Sequence, residues 1–197
     1  MASFTMDGTT IFSKSGSDIT YANGTLGSGT IFPAGHIIQM NQTIDQSTTS
    51  RGGDKSAWAS TGVSCALPNS LKTNSKLFVT YSAVVGEEGG SHWAIATLMT
   101  IFQNGSNVCG THLTNLNATY GLSNTGPDNS GNQYFRGTHS ASVLFTPQGT
   151  GAAQRTVELY WSSPAVNSYT VYLNTAGNTS TAYDGGATIL TVMEIAQ

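Results

Sequence analysis

Ala187-Thr-Ile-Leu-Thr-Val-Met-Glu-Ile-Ala196 is the most apolar run in a chain otherwise rich in Ser, Thr, Asn and Gly. On a strand, successive side chains point to opposite faces. Ile189, Thr191, Met193 and Ile195 would share one face, and Leu190, Val192 and Glu194 the other. A helix is the competing reading for an apolar run of this length. Thr188, Ile189, Thr191, Val192 and Ile195 are β-branched, and Gly185-Gly186 sits just before the run, so a strand is expected. Neither face is clearly polar, which implies cover on both sides. A second sheet of the same chain can supply one layer and a neighbouring subunit the other. Ile189, Leu190, Val192, Met193 and Ile195 are therefore the candidate core and oligomer-contact residues.

Composition narrows the functions available. With 197 residues the chain has room for one domain, or one domain with an arm, and needs no metal or disulfide to build a core. Charged residues are 9% of the total, against about 25% in ordinary soluble proteins. The surface must then be mostly hydroxyl and amide groups, which neither repel neighbours nor steer charged ligands over long range. The net charge is −3 and the seven Lys and Arg are scattered singly, which argues against nucleic-acid binding through a basic stripe. No apolar stretch reaches the ~20 residues of a membrane helix, so no membrane partner is expected. The start, Met1-Ala-Ser-Phe-Thr-Met-Asp-Gly8, lacks the basic region and apolar core of a signal peptide. On that reading Cys65 and Cys109 are expected as free, buried thiols, although a pair remains the alternative.

Working back from the last strand, turn signals at short intervals divide the chain into strands. His36, Ile38, Met40 and Ile44 fall on one parity with Gln39, Asn41 and Thr43 opposite, the pattern of a half-buried strand. A polar loop, 46–55, follows, then strands at Trp58–Leu67 and Leu77–Val85, the latter stopped by Gly86-Glu-Glu-Gly-Gly90. Trp93–Gln103 runs directly into Asn104-Gly105, the strongest short-range signal for a type I′ hairpin. Residues 114–138 read as a long polar excursion, of the kind that is usually functional or disordered. Further strands are expected at Ser140–Phe145, Arg155–Trp161 and Tyr169–Leu173. Eight or nine strands without an amphipathic helix predict an all-β fold: an antiparallel β-sandwich, jelly-roll-like, over 33–197.

Residues 1–32 differ from the rest. Phe4, Met6, Ile11, Phe12, Tyr21, Ile31 and Phe32 are spaced by Gly, Ser, Asp and Asn in pieces too short for a core and too aromatic for a plain linker. They suit an extended N-terminal arm lying on another surface; a disordered leader is the competing reading. Little charge is available to protect sheet edges, Arg155, Glu158 and Glu194 being the main exceptions. Subunits covering each other's edges in a closed homo-oligomer would solve that problem.

The search for chemistry returns no catalytic, cofactor-binding or metal-ligating set. His36, His92, His112 and His139 stand singly, without ligand spacing or a neighbouring carboxylate. No Gly-X-Ser-X-Gly elbow accompanies the many serines. Glu87-Glu88 reads as a solvated turn, since glycosidase carboxylates face each other across a cleft. Arg51-Gly-Gly-Asp54 reads as a turn too, and Asp128-Asn-Ser-Gly-Asn132 lacks the repeated acidic positions of a calcium loop. Trp58, Trp93, Trp161 and the tyrosines could stack on sugars, but at strand spacing such residues are more often core or interface. An enzyme is not expected.

Six stretches carry a resemblance. They are Pro33-Ala-Gly-His-Ile-Ile-Gln39, Leu67-Pro-Asn-Ser-Leu-Lys-Thr-Asn-Ser-Lys-Leu-Phe-Val-Thr-Tyr81, Thr100-Ile-Phe-Gln-Asn-Gly105, Tyr160-Trp-Ser-Ser-Pro164, Tyr169-Thr-Val-Tyr172 and Thr191-Val-Met-Glu-Ile-Ala196. In order and spacing the set resembles a β-sandwich module of virion surface proteins in tailed bacteriophages, notably marine and cyanobacterial ones. The insert at 114–138 is where this chain departs from it. The resemblance implies a phage structural role at the virion surface, usually trimeric, with no catalytic residues to carry over. A capsid decoration (cement) protein, its arm on the major capsid protein, is the first expectation. A tail fibre or spike that contacts other tail proteins and host glycans is the alternative.

Overall fold

Short runs of alternating apolar and polar residues, punctuated by Gly, Asn and Pro, give the described residues strands and one short helix. The computed structural model describes residues 2–6, 9–15, 18–21, 34–52, 58–88, 97–108, 123–124, 134–162, 170–175 and 186–197; at 2–21, 87–88, 123–124 and 134–136 it gives the backbone course alone. In chain order the strands are β1 (Ala2–Met6), β2 (Thr9–Ser15), β3 (Asp18–Tyr21), β4 (Ile37–Asp45), β5 (Thr49–Arg51), β6 (Ala59–Ala66) and β7 (Lys76–Glu88). There follow β8 (Leu98–Gln103), β9 (Ser106–Asn107), β10 (Ser123–Asn124), β11 (Tyr134–Phe145), β12 (Thr156–Ser162), β13 (Thr170–Leu173) and β14 (Thr188–Ile195). A single-turn helix, α1 (Gly151–Arg155), precedes β12.

The chain divides into two units, Met1–Phe32 and Pro33–Gln197. In the first, β1, β2 and β3 form an antiparallel meander. The segments anticipated as separate extended pieces thus pair with one another. Register sets Phe4 opposite Phe12 and Phe12 opposite Tyr21, one line across three strands. Met6 pairs with Thr9, and Ile11 lies within β2. Ile31 and Phe32 fall outside the described residues.

The second unit is a β-sandwich of two antiparallel sheets. One sheet has the order β4-β14-β7-β13-β5, with β11 on the other flank of β7; the other runs β10-β8-β12-β6, with β9 on β8. The last strand lies inside its sheet, between β4 and β7, as its apolar character requires. β7 organises that sheet. β11 pairs along it from Leu77 to Glu88, while β14 and β13 share its opposite flank end to end. Between the sheets, Leu77, Val79, Tyr81, Ala83 and Val85 of β7 and Leu190 and Val192 of β14 meet Val63 and Cys65 of β6, Met99 and Ile101 of β8, and Val157, Leu159 and Trp161 of β12. The face of β14 carrying Leu190, Val192 and Glu194 is therefore the inner one.

Several boundaries differ from the sequence expectation. β7 does not stop at Gly86, because Gly86 is paired on both flanks, to Arg136 and to Tyr172. A ladder on each side holds the glycine extended, and Glu87-Glu88 are strand residues rather than a turn. The polar excursion is interrupted by β10 and ends where β11 begins, at Tyr134, because β7 extends far enough to template it. The loop at 46–55 contains β5, paired with β13. The β8–β9 hairpin matches expectation: Asn104 and Gly105 both have positive φ, 50° and 72°.

β4 inverts its expected orientation. Met40 and Ile44 are exposed, at 58% and 59%, while Gln39, Asn41 and Thr43 turn inward toward β6. The cause is the open edge of the facing sheet. Asn41 Nδ2 donates to Ala66 O at 2.7 Å and Thr43 Oγ1 to Ser64 O at 2.8 Å. These carbonyls point away from β12, so they would otherwise be bare edge acceptors. Polar residues at alternate positions cap an edge strand of the same chain, and apolar ones are left facing out.

Candidate interaction surface

Glu194 sits in the most apolar strand of the protein and is fully buried. Its carboxylate accepts from Gln39 Nε2 at 2.6 Å and from the backbone N–H of Lys72 at 2.5 Å. Gln39 also clamps Asn69, donating to its carbonyl at 3.1 Å and accepting from its N–H at 3.0 Å. The β6–β7 connection is thereby tied to β4 and β14. Backbone bonds complete the corner: Gly35 N–H to Ala196 O at 2.8 Å and Ala196 N–H to His36 O at 2.9 Å. Glu194 is therefore a structural fastener. Neither it nor the other two charges expected to guard edges does so: Arg155 donates to Pro68 O at 2.6 Å from α1, and Glu158 lies in β12, which is paired on both flanks. The signal was available in the sequence, since a lone carboxylate inside an apolar strand has to find donors when buried.

The outer face of the six-stranded sheet carries the other parity of β14. Register places Met40, Met193, Phe78 and Leu144 in one row across β4, β14, β7 and β11. The adjacent row is Gln42, Thr191, Thr80 and Ser142, in which Gln42 Nε2 donates to Thr191 Oγ1 at 2.9 Å. The next is Ile44, Ile189, Ser82 and Ser140; at the opposite end lie Ile37, Ile195 and Lys76. Every large hydrophobic side chain that is exposed among the described residues belongs to this face: Ile37, Met40, Ile44, Leu144 and Ile189. Of the candidate strand residues, Leu190 and Val192 are core, Met193 and Ile195 are half-buried outside, and Ile189 is exposed.

The outer face of the five-stranded sheet differs in kind. Phe102 and Tyr160 stack with ring centroids 3.9 Å apart and planes at 16°, and Trp58 tilts against Phe102 at 6.3 Å. The Tyr160 phenol is held above its ordinary range, first by burial and then by the charge and hydrogen bond of Glu158. Glu158 also accepts from Ser60 Oγ. Trp161, by contrast, is in the core.

Among the remaining candidates, His139 is buried on the inner parity of β11 and His36 is exposed at the mouth of β4. His92, His112, Trp93, Cys109, Asp54 and Asp128-Asn132 fall outside the described residues. Cys65 is a free, buried thiol; burial pushes its pKa up, and hydrogen bonds with Thr43 and Val192 offset this in part. Arg51 ends β5 and its Nη1 donates to Trp161 O at 3.0 Å, bridging the two sheets; the rest of the expected turn, Gly53 and Asp54, falls outside the described residues. Among the described residues no group of three His, Cys, Asp or Glu is placed to hold a metal. No protein-family model matches the chain, and no curated protein matches its sequence.

Proposed function

We propose that the chain is a structural protein of bacteriophage virions, a capsid decoration (cement) protein. Residues 1–32 lie on the major capsid protein, and the sandwich, 33–197, associates into a trimer at the virion surface. The observation that carries this reading is a convergence in space. Three of the stretches on which the phage resemblance rests, 33–39, 67–81 and 191–196, meet at the Gln39–Asn69–Lys72–Glu194 corner. Residues far apart in sequence thus belong to one built unit. A surface poor in charge and a separate N-terminal unit suit a protein whose partners are other shell proteins. If each subunit covers a standard ~800 Å² per partner, small gains repeated over a lattice resist internal pressure through multivalency.

Copy number in purified virions tests the proposal: hundreds per particle are expected of a head protein. Deleting residues 2–32 should release the protein from heads while leaving a folded oligomer, and stoichiometric binding by that deletion would contradict the arm's role. The Trp58–Phe102–Tyr160 cluster favours a second reading, a tail fibre or spike tip stacking on host glycans, for which a handful of copies per particle is expected.

A further inference from the structure

We infer that copies of this chain associate through the outer face of the six-stranded sheet, around the row Met40–Met193–Phe78–Leu144. The inference rests on the reading that the chain self-associates and names the surface that does it. Three observations point to a second copy as the occupant. The first is concentration: the exposed large hydrophobics of the described residues all fall on this face, in rows on either side of one polar row. The second is charge. Lys76, at one corner, is the only charged residue in these rows. Such a face offers nothing to an ionic partner, and two copies meet on it without like-charge repulsion. Its polar row is made of hydroxyls and an amide, groups that both donate and accept, so it can satisfy the same row of another copy.

The third is area. Four strands about 4.8 Å apart, followed over about eight residues at ~3.4 Å each, make a face of roughly 500 Å². Two such faces remove about 1,000 Å² from water, the lower limit for a specific interface. Packed sheets sit about 10 Å apart with interdigitating side chains, which the long Met40, Met193, Phe78 and Leu144 can fill. Two copies can pair these faces, or three can arrange them about a common axis.

The test uses the full chain, sized by light scattering and sedimentation between 1 and 100 µM. Wild type should have a mass two or three times 20.5 kDa. The double variant Met40→Glu/Leu144→Glu should sediment as a monomer, its association weakened at least 100-fold, with unchanged circular dichroism. Both side chains are more than half exposed, so the fold should tolerate them. Ser64→Lys, on the opposite sheet, should keep the wild-type mass. A double variant that retains the wild-type mass overturns the choice of face and leaves self-association standing. A wild type monomeric at 100 µM overturns both. A monomer that becomes oligomeric once residues 2–32 are removed identifies that segment as the occupant and overturns the inference.

Discussion

Glu194→Ala should be among the most damaging single substitutions in the sandwich, although it removes a polar group from an apolar strand. The carboxylate is fully buried and holds two donors, Gln39 Nε2 and the Lys72 N–H, at 2.6 and 2.5 Å. Alanine takes the acceptor from the Lys72 N–H and leaves Gln39 Nε2 with the Asn69 carbonyl alone. Hydrogen bonds to a charged group contribute about 1.5–3 kcal/mol each, and stranding a buried donor costs a similar amount. Since Gln39 is only part-buried and can recover a water, the loss should be about 3–5 kcal/mol. With a urea dependence of about 2 kcal/mol per molar for a domain of this size, the unfolding midpoint should fall by roughly 1.5–2.5 M. Tryptophan fluorescence reports it through buried Trp161, at one fixed protein concentration because association would shift the midpoint. Glu194→Gln keeps the shape but sets an N–H₂ against one of the two donors, and should lose about 1–3 kcal/mol. The swap Gln39→Glu/Glu194→Gln restores donor–acceptor polarity along the chain from Asn69 N–H to Lys72 N–H, sacrificing only the bond to the exposed Asn69 carbonyl. It should recover at least half of the loss. A midpoint for Glu194→Ala within 0.5 M of wild type, or no rescue by the swap, would refute the reasoning.

Other consequences follow from single contacts. A Cβ at Gly186 would sit 2.7 Å from Val84 Cβ and 3.0 and 3.1 Å from its methyls; Gly186→Ala should therefore lower stability by about 1–3 kcal/mol, read from the thermal midpoint. Asn41→Ala/Thr43→Val uncaps Ala66 O and Ser64 O on β6, and should cost about 1–2 kcal/mol while accelerating thioflavin-positive aggregation. Unchanged aggregation kinetics would show that those side chains do not guard the edge. Cys65 should resist iodoacetamide at pH 8 until urea is added, as followed by peptide mass. Because its pKa is raised by folding, the stabilisation tied to its protonated form is complete below the ordinary thiol range and is lost as pH climbs through the folded value. A Cys65→Ala chain should lack that part of the alkaline decline.

The β character of most segments and the central place of the last strand were legible because they rest on local signals; the count was not, since β5 and β10 lie where only loop was expected. β-branched enrichment at 188–195, a Gly-Gly before it, and Asn104-Gly105 between apolar runs each act within a few residues. The strand limits were less legible where a partner overrode the local signal. Gly86 and Glu87-Glu88 look like a break until β11 and β13 are laid on either side. Tyr134 to Thr138 reads as loop because its alternation is weak, yet β7 supplies a template along its whole length. Asn174 gave no local warning: positive φ lets it donate to Asp45 O and Ser47 O and accept from Thr188 Oγ1, joining the ends of β4, β13 and β14.

β4 shows why the interaction surface in particular escaped a pattern-based reading. Alternation of Met40 and Ile44 with Asn41 and Thr43 states that two faces differ; it does not state which one faces in. The usual rule, apolar inward, holds when the polar face has only water to meet and the apolar face only a core. At a sandwich seam both conditions fail. The polar parity has unpaired carbonyls of β6 within reach, where a direct bond removes a bare edge, while the apolar parity continues a sheet face that the core does not need. Ordinary proteins would mark the outward face with lysines and glutamates. A chain with 9% charged residues leaves it unmarked, so the exposed face of this sheet looks in sequence like interior. The same scarcity of charge that disguises the face also makes it fit for burial against another copy: Met40 and Ile44 can leave water without stranding a charge beside them.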